Sequence, residues 1–150
     1  MKTEEARGYT IQKLNTIEIT IDQIITNYFS PKNLNNFNNI LLNSSILEFG
    51  KKVKLISSLD LIDKTTFSDL LKLASIRNSF AHAEIRNVTH YTTGEKNTLA
   101  EIKKMIVVMN SNGKISKKYI SEFLIEFDNL FNKLTIKLDE VSKAVANMNF

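Results

Sequence analysis

Cysteine is absent from the chain. That excludes disulfides and thiolate metal sites, and it is compatible with a reducing compartment. Proline occurs once and glycine four times in 150 residues, too few turn residues for a sandwich or barrel. No uninterrupted apolar run reaches the roughly eighteen residues of a membrane helix, so nothing is expected to span a membrane. The start, Met1-Lys2-Thr3-Glu4-Glu5-Ala6-Arg7, lacks the apolar core of a signal peptide, and the expected location is cytoplasmic. There is no repeat of roughly 20–50 residues. His90 is a lone histidine without a partner at metal-ligand spacing, which reads as a surface loop residue, and neither a metal nor another cofactor is expected.

What is present is ordinary for a globular chain: 43% apolar and 24% charged residues, with much Ile, Leu, Lys and Asn. The length suits one domain over 1–150 with a real core. The net charge of +4 permits nucleic-acid binding without demanding it.

Residues recur at helical spacing over 6–29 (Ile11, Leu14, Ile17 or Glu18, Ile21, Ile24, Ile25, Tyr28), closed by Ser30 and Pro31. The Asn-rich run 33–39 predicts a loop leading into a short helix near 36–43. Ser44 or Ser45 would cap a helix over about 46–60 with Ile46, Phe49, Val53, Ile56 and Leu59 inward, and Lys51, Lys52 and Lys54 on a wet face. Thr65 or Thr66 would cap the next helix, which ends near 83–85. Residues 86–98, with Arg86, Asn87, His90, Tyr91, Gly94 and Asn97, read as loop. Over 98–117 two readings stand. Met105-Ile106-Val107-Val108-Met109 followed by Asn112-Gly113 and Lys114-Ile115-Ser116 signals a hairpin, and a helix over 98–109 competes. Lys103, Lys104, Lys114, Lys117 and Lys118 would cluster there as RNA-contacting residues. Ser116 then caps a helix over about 117–147 striped by Ile120, Phe123 or Leu124, Phe127, Leu130 or Phe131, Leu134, Leu138, Val141 and Val145. The expected fold is all-α, an up-and-down bundle of four to five helices with a small hairpin before the last.

The stretch Leu70 to His82 stands out. At about 100° per residue, Phe67, Leu70, Leu71, Leu73, Ala74, Phe80 and Ala81 share an apolar arc. Arg77 and Asn78 fall inside that arc and His82 falls at its edge. Polar groups on a core-facing stripe are costly unless paired or used.

Ile76-Arg77-Asn78-Ser79-Phe80-Ala81-His82 resembles the R-x4-6-H signature of the HEPN superfamily, in which a polar residue often follows the arginine. The likeness covers about 46–83 and is closest to the mannitol-operon-repressor-like branch, where an F-x-x-K/R pattern precedes I-R-N-x-F-A-H. The resemblance implies a HEPN-like helical bundle that dimerises through the motif helices. In active members it implies a metal-independent endoribonuclease, with Arg77, Asn78 and His82 as catalytic residues. Arg77 and His82 point about 140° apart on a straight helix. Either the helix breaks near His82 or two copies converge on one cleft. Toxin members paired with a nucleotidyltransferase antitoxin often carry a tyrosine two residues past the histidine, and here that position is Glu84. Two readings follow: a toxin or defence ribonuclease acting as a homodimer on RNA, under an antitoxin or regulatory protein, or a non-catalytic dimeric interaction domain. A nuclease needs Arg77 and His82 reachable from solvent. A scaffold would bury them against acids such as Asp69, Glu48 or an acid of the last helix.

Overall fold

The computed structural model describes residues 2–94, 98–109 and 112–148. The apolar stripes at the two ends of the chain form its two longest helices, α1 (Thr3–Phe29) and α5 (Ile120–Ala146). The α5 stripe is buried along its length, from Ile120, Phe123 and Phe127 to Val141 and Val145. Leu14, Ile17, Ile21, Ile24 and Ile25 of α1 complete the same core, each burial contributing roughly 1.5–3 kcal/mol. Ile11 lies outside it, 40% exposed. Ser30 closes α1 in the left-handed conformation, its N–H donating to the Thr26 carbonyl at 2.9 Å just before Pro31.

The Asn-rich connector winds into a short helix α2 (Leu34–Asn36) that continues as a π-helical turn, Phe37–Leu41. Helices α3 (Phe49–Ser58) and α4 (Lys64–His82) follow. Ser44 and Ser45 do not cap α3. Residues 43–47 form a turn of their own, in which the Ile46 and Leu47 N–H groups donate to the Asn43 carbonyl at 2.8 Å, and Ile46 is left exposed. The cap of α4 is Asp63, whose carboxylate accepts the Thr66 N–H at 2.7 Å. Helix α5 runs antiparallel to α4, stapled by Lys133 to Asp69 and Lys72 to Glu126, each at 2.6 Å. Tyr9 of α1 donates to Asp128 of α5 at 2.7 Å and sets its ring edge-on to Phe127.

The expectation of an all-α HEPN-like bundle is corrected here. A three-stranded antiparallel sheet lies between α4 and α5: β1 (Glu84–Thr93), β2 (Thr98–Met109) and β3 (Ile115–Tyr119), in the order β1-β2-β3. The fold is mixed, helices plus sheet. β1 occupies most of the predicted loop, whose residue Asn97 lies outside the described residues. Its Val, Thr and Tyr favour a strand, but nearly every side chain is exposed, so no apolar alternation marks it. Over 98–117 the hairpin forms rather than the helix, pairing Met105 with Tyr119 through Met109 with Ile115. Gly113 supplies the turn's positive φ of 75°. The base of the sheet seats on the helices through the buried Ile106, flanked by Ile85 and Val108. Ser116 is taken up in β3, so Tyr119 stands at the start of α5.

Lys52 also departs from the expected wet face. Its side chain is 1% exposed, and its ammonium lies 2.8 Å from both Glu18 Oε1 and Asp22 Oδ1. Asp22 Oδ1 is close in distance but out of line for a good hydrogen bond. Burial pushes the Asp22 carboxyl up, Lys52 partly opposes this, and the Glu18 charge adds to it. Removing the ammonium would leave two half-buried acids facing each other. Lys52→Ala is expected to destabilise the fold by about 3–5 kcal/mol, read by urea unfolding. Glu126 behaves oppositely to Asp22. The Lys72 hydrogen bond, aided by the charges of Lys118 and Lys72, holds its carboxyl below the usual range. A lowered carboxylate stabilises above the ordinary glutamate range, and that contribution is lost as pH falls through the folded value. Glu126→Gln should therefore flatten the acid limb of a Tm-versus-pH curve relative to wild type.

Candidate functional site

Helix α4 runs unbroken through the motif. Ala83 caps it, its N–H donating to the Ser79 carbonyl at 2.9 Å. Arg77 and His82 therefore keep their divergence of about 140°. The buried face carries Thr66, Leu70, Leu73, Ile76 and Phe80. The expected arc shifts accordingly: Ile76 points inward, Leu71 is 38% exposed, and Asn78 and His82 face solvent. Arg77 is half-buried at the margin. Leu71, Ser75, Asn78 and His82 share the exposed face at helical spacing.

Among the described residues, neither a hydrogen bond nor an ion pair reaches Arg77, Asn78 or His82. Of the acids a scaffold would use, Asp69 is engaged by Lys133, Glu48 lies beside Lys51, and Glu126 of the last helix is taken by Lys72. The motif thus leaves a guanidinium, an amide and an imidazole uncommitted near a helix C-terminus, where the helix dipole favours cations. Two surface hollows lie elsewhere. One of about 650 Å³ lies at the α1–α2 turn beside Val145 and Met148, and one of about 380 Å³ between Lys72, Ile125 and Leu130. Neither is lined by the motif residues. A single chain offers the groups, but these hollows do not surround them.

Arg7 is the contributor that sequence reading missed. Its Nε donates to the Phe80 carbonyl at 2.7 Å, satisfying one of the carbonyls that α4 leaves open at its end. No glycine caps α4, which is the one sequence sign that some other group must serve there. Arg7 is thus a positioning residue for the turn that carries His82.

The five predicted lysines do not form one patch. Register puts Lys103 and Lys117 on the same sheet face as Arg86, His90 and Tyr119, and Lys104 and Lys118 on the other. Lys114 lies in the turn before β3. Lys118 leans over the Phe123 ring at 4.7 Å and pairs with Glu126 at 3.5 Å. Among the described residues, no three His, Asp or Glu side chains gather as a metal-binding group, and no helix is long and apolar enough to cross a membrane. No known protein family, curated protein or solved structure matches the chain.

Arg7→Met should cost about 1–3 kcal/mol in urea unfolding. It should also raise amide exchange at Ser79–Ala83 relative to the middle of α4, measured by hydrogen exchange. Equal protection in both proteins would count against the positioning role.

Proposed function

We propose that the chain is a metal-independent endoribonuclease of HEPN type, acting as a cytoplasmic homodimer whose cleft is completed by the second copy. The observation that carries this reading is the uncommitted Arg77–Asn78–His82 set at the end of α4, with Asn78 and His82 open to solvent. Ser75, exposed one turn before Asn78 on the same face, leaves space there for a second motif helix. A twofold axis there would bring two arginines and two histidines around one phosphate.

In that cleft the ribose 2′-oxygen attacks the adjacent phosphorus. The 2′-O–P bond forms, the P–O5′ bond breaks, and the products carry 2′,3′-cyclic phosphate and 5′-hydroxyl ends. His82 of one copy takes the 2′-hydroxyl proton, and its twin supplies a proton to the leaving 5′-oxygen. Histidine as a class suits this role because it titrates near neutral pH. Arg77 meets the charge that builds on the equatorial oxygens. Asn78, one turn before His82, bonds a phosphate oxygen or orients the imidazole. A toxin or defence role, with an antitoxin or regulatory protein as partner, fits such an activity.

A second reading, a non-catalytic dimeric interaction domain, is favoured by the exposed apolar residues of the sheet. Ile102 is 72%, Tyr91 67% and Met109 65% exposed.

The test is incubation of mixed RNA with wild type, Arg77→Ala and His82→Ala in EDTA, with light scattering for mass. Wild type should cleave, leave cyclic-phosphate ends and run as a dimer. The variants should fold equally well and lose roughly 10²–10⁴-fold in rate. Cleavage that survives in His82→Ala, or that chelator abolishes, rules the mechanism out.

A further inference from the structure

The net positive charge of the chain comes from the segment that holds the sheet. From Glu84 to Tyr119 there are seven Lys and Arg against three Asp and Glu, while the helical remainder carries thirteen of each. The net +4 of the protein is the net charge of this segment. A neutral bundle bearing a basic arm presents a polyanion with one place to bind.

One face of that arm has more than charge. The register aligns Arg86, Met105 and Tyr119 across the three strands, with Val88 and Lys103 as the neighbouring pair on the same face and His90 opposite Glu101. The His90 and Tyr119 rings lie 5.7 Å apart between centroids, inclined by 36°. The Lys103 ammonium sits over the Tyr119 ring at 5.3 Å. Lys117 continues the face along β3. Two acids hold the cations in the free protein, Glu84 with Arg86 at 2.8 Å and Glu101 with Lys103 at 3.7 Å. His90 is therefore not a loop histidine but half of an aromatic pair within a basic surround.

We propose that this face, built from Arg86, His90, Lys103, Lys117 and Tyr119, is a platform for single-stranded RNA. Unpaired bases stack on the His90–Tyr119 pair, and a base that takes the place of Lys103 over Tyr119 frees its ammonium for a phosphate. Arg86 and Lys117 hold the flanking phosphates. Aromatic faces set among cations suit single strands, because the bases of a duplex are already stacked on one another. Arg86 follows His82 by four residues, at most about 14 Å of extended chain, so a strand on the platform lies near the α4 motif. The proposal rests on the ribonuclease reading only for the choice of RNA as the polyanion.

The experiment is fluorescence anisotropy of a short labelled oligouridylate with His82→Ala protein, which keeps the probe intact. Tyr119→Ala should weaken binding about ten-fold or more, while Tyr119→Phe binds like the parent. Because Tyr119 starts α5, His90→Ala is the independent check, on an exposed strand position, and should weaken binding in the same direction. Lys103→Ala and Lys117→Ala should each lower the slope of log K against log salt by about 1. Lys104→Ala, on the opposite face, should leave it unchanged. The platform is overturned if oligouridylate fails to bind, if Tyr119→Ala and His90→Ala bind like the parent, if Lys104→Ala matches Lys103→Ala, or if duplex RNA competes as well as single strand. Binding as described without cleavage by wild type would remove the nuclease and keep the platform. Cleavage with parental binding in all platform variants would do the reverse.

Discussion

The end of α4 is held from two sides, and much of the molecule follows from that. The Arg7 guanidinium takes the Phe80 carbonyl at 2.7 Å, and the Phe80 ring packs on Phe123 with centroids 5.5 Å apart. One residue thereby ties the first, fourth and last helices together, with its backbone bonded to α1 and its side chain seated against α5. Two residues later the helix reaches His82, and the chain then leaves as β1. The motif and the sheet both start from this anchored corner, so their relative placement is set by a buried aromatic contact and a charge-assisted hydrogen bond. A free helix end would let both fray.

The helical parts were legible because burial there is one-sided and periodic. The α5 stripe from Ile120 to Val145 contains the buried set, which takes Phe123 rather than Leu124 and Phe131 rather than Leu130, since a helix that packs along one face must repeat its apolar residues. β1 was not legible, because an arm exposed on both faces needs no apolar alternation. Lys52 was illegible for a different reason. Its partners Glu18 and Asp22 lie 34 and 30 residues away in sequence, and nothing local separates a buried lysine from the wet Lys51 and Lys54 beside it. The motif itself was half legible. Arg77 does stand at the margin of the core, but Asn78 and His82 lie off the arc assigned to them. Ile76 takes the inward position, which rotates the buried face toward Thr66, Leu73 and Phe80.

The α4 motif and the platform differ in how they use charge. The helices balance their charges, and several of those acids and bases are spent on one another: Asp69 with Lys133, Glu126 with Lys72, Lys52 with Glu18 and Asp22. Arg77 is a cation that this pairing leaves out. An unpaired guanidinium at a core margin gives up part of its hydration without an ion-pair partner in return, which is a poor arrangement for stability and a suitable one for meeting a phosphate. The sheet solves the opposite problem. Its platform cations Arg86 and Lys103 are exposed and paired with the exposed Glu84 and Glu101, so exchanging those carboxylates for phosphates requires little desolvation. A division of labour follows, with affinity drawn from a wet, basic strand arm and chemistry from a partly dry helix end. Ala83 alone separates the two in sequence, and the Arg7–Phe80–Phe123 corner keeps that junction in place.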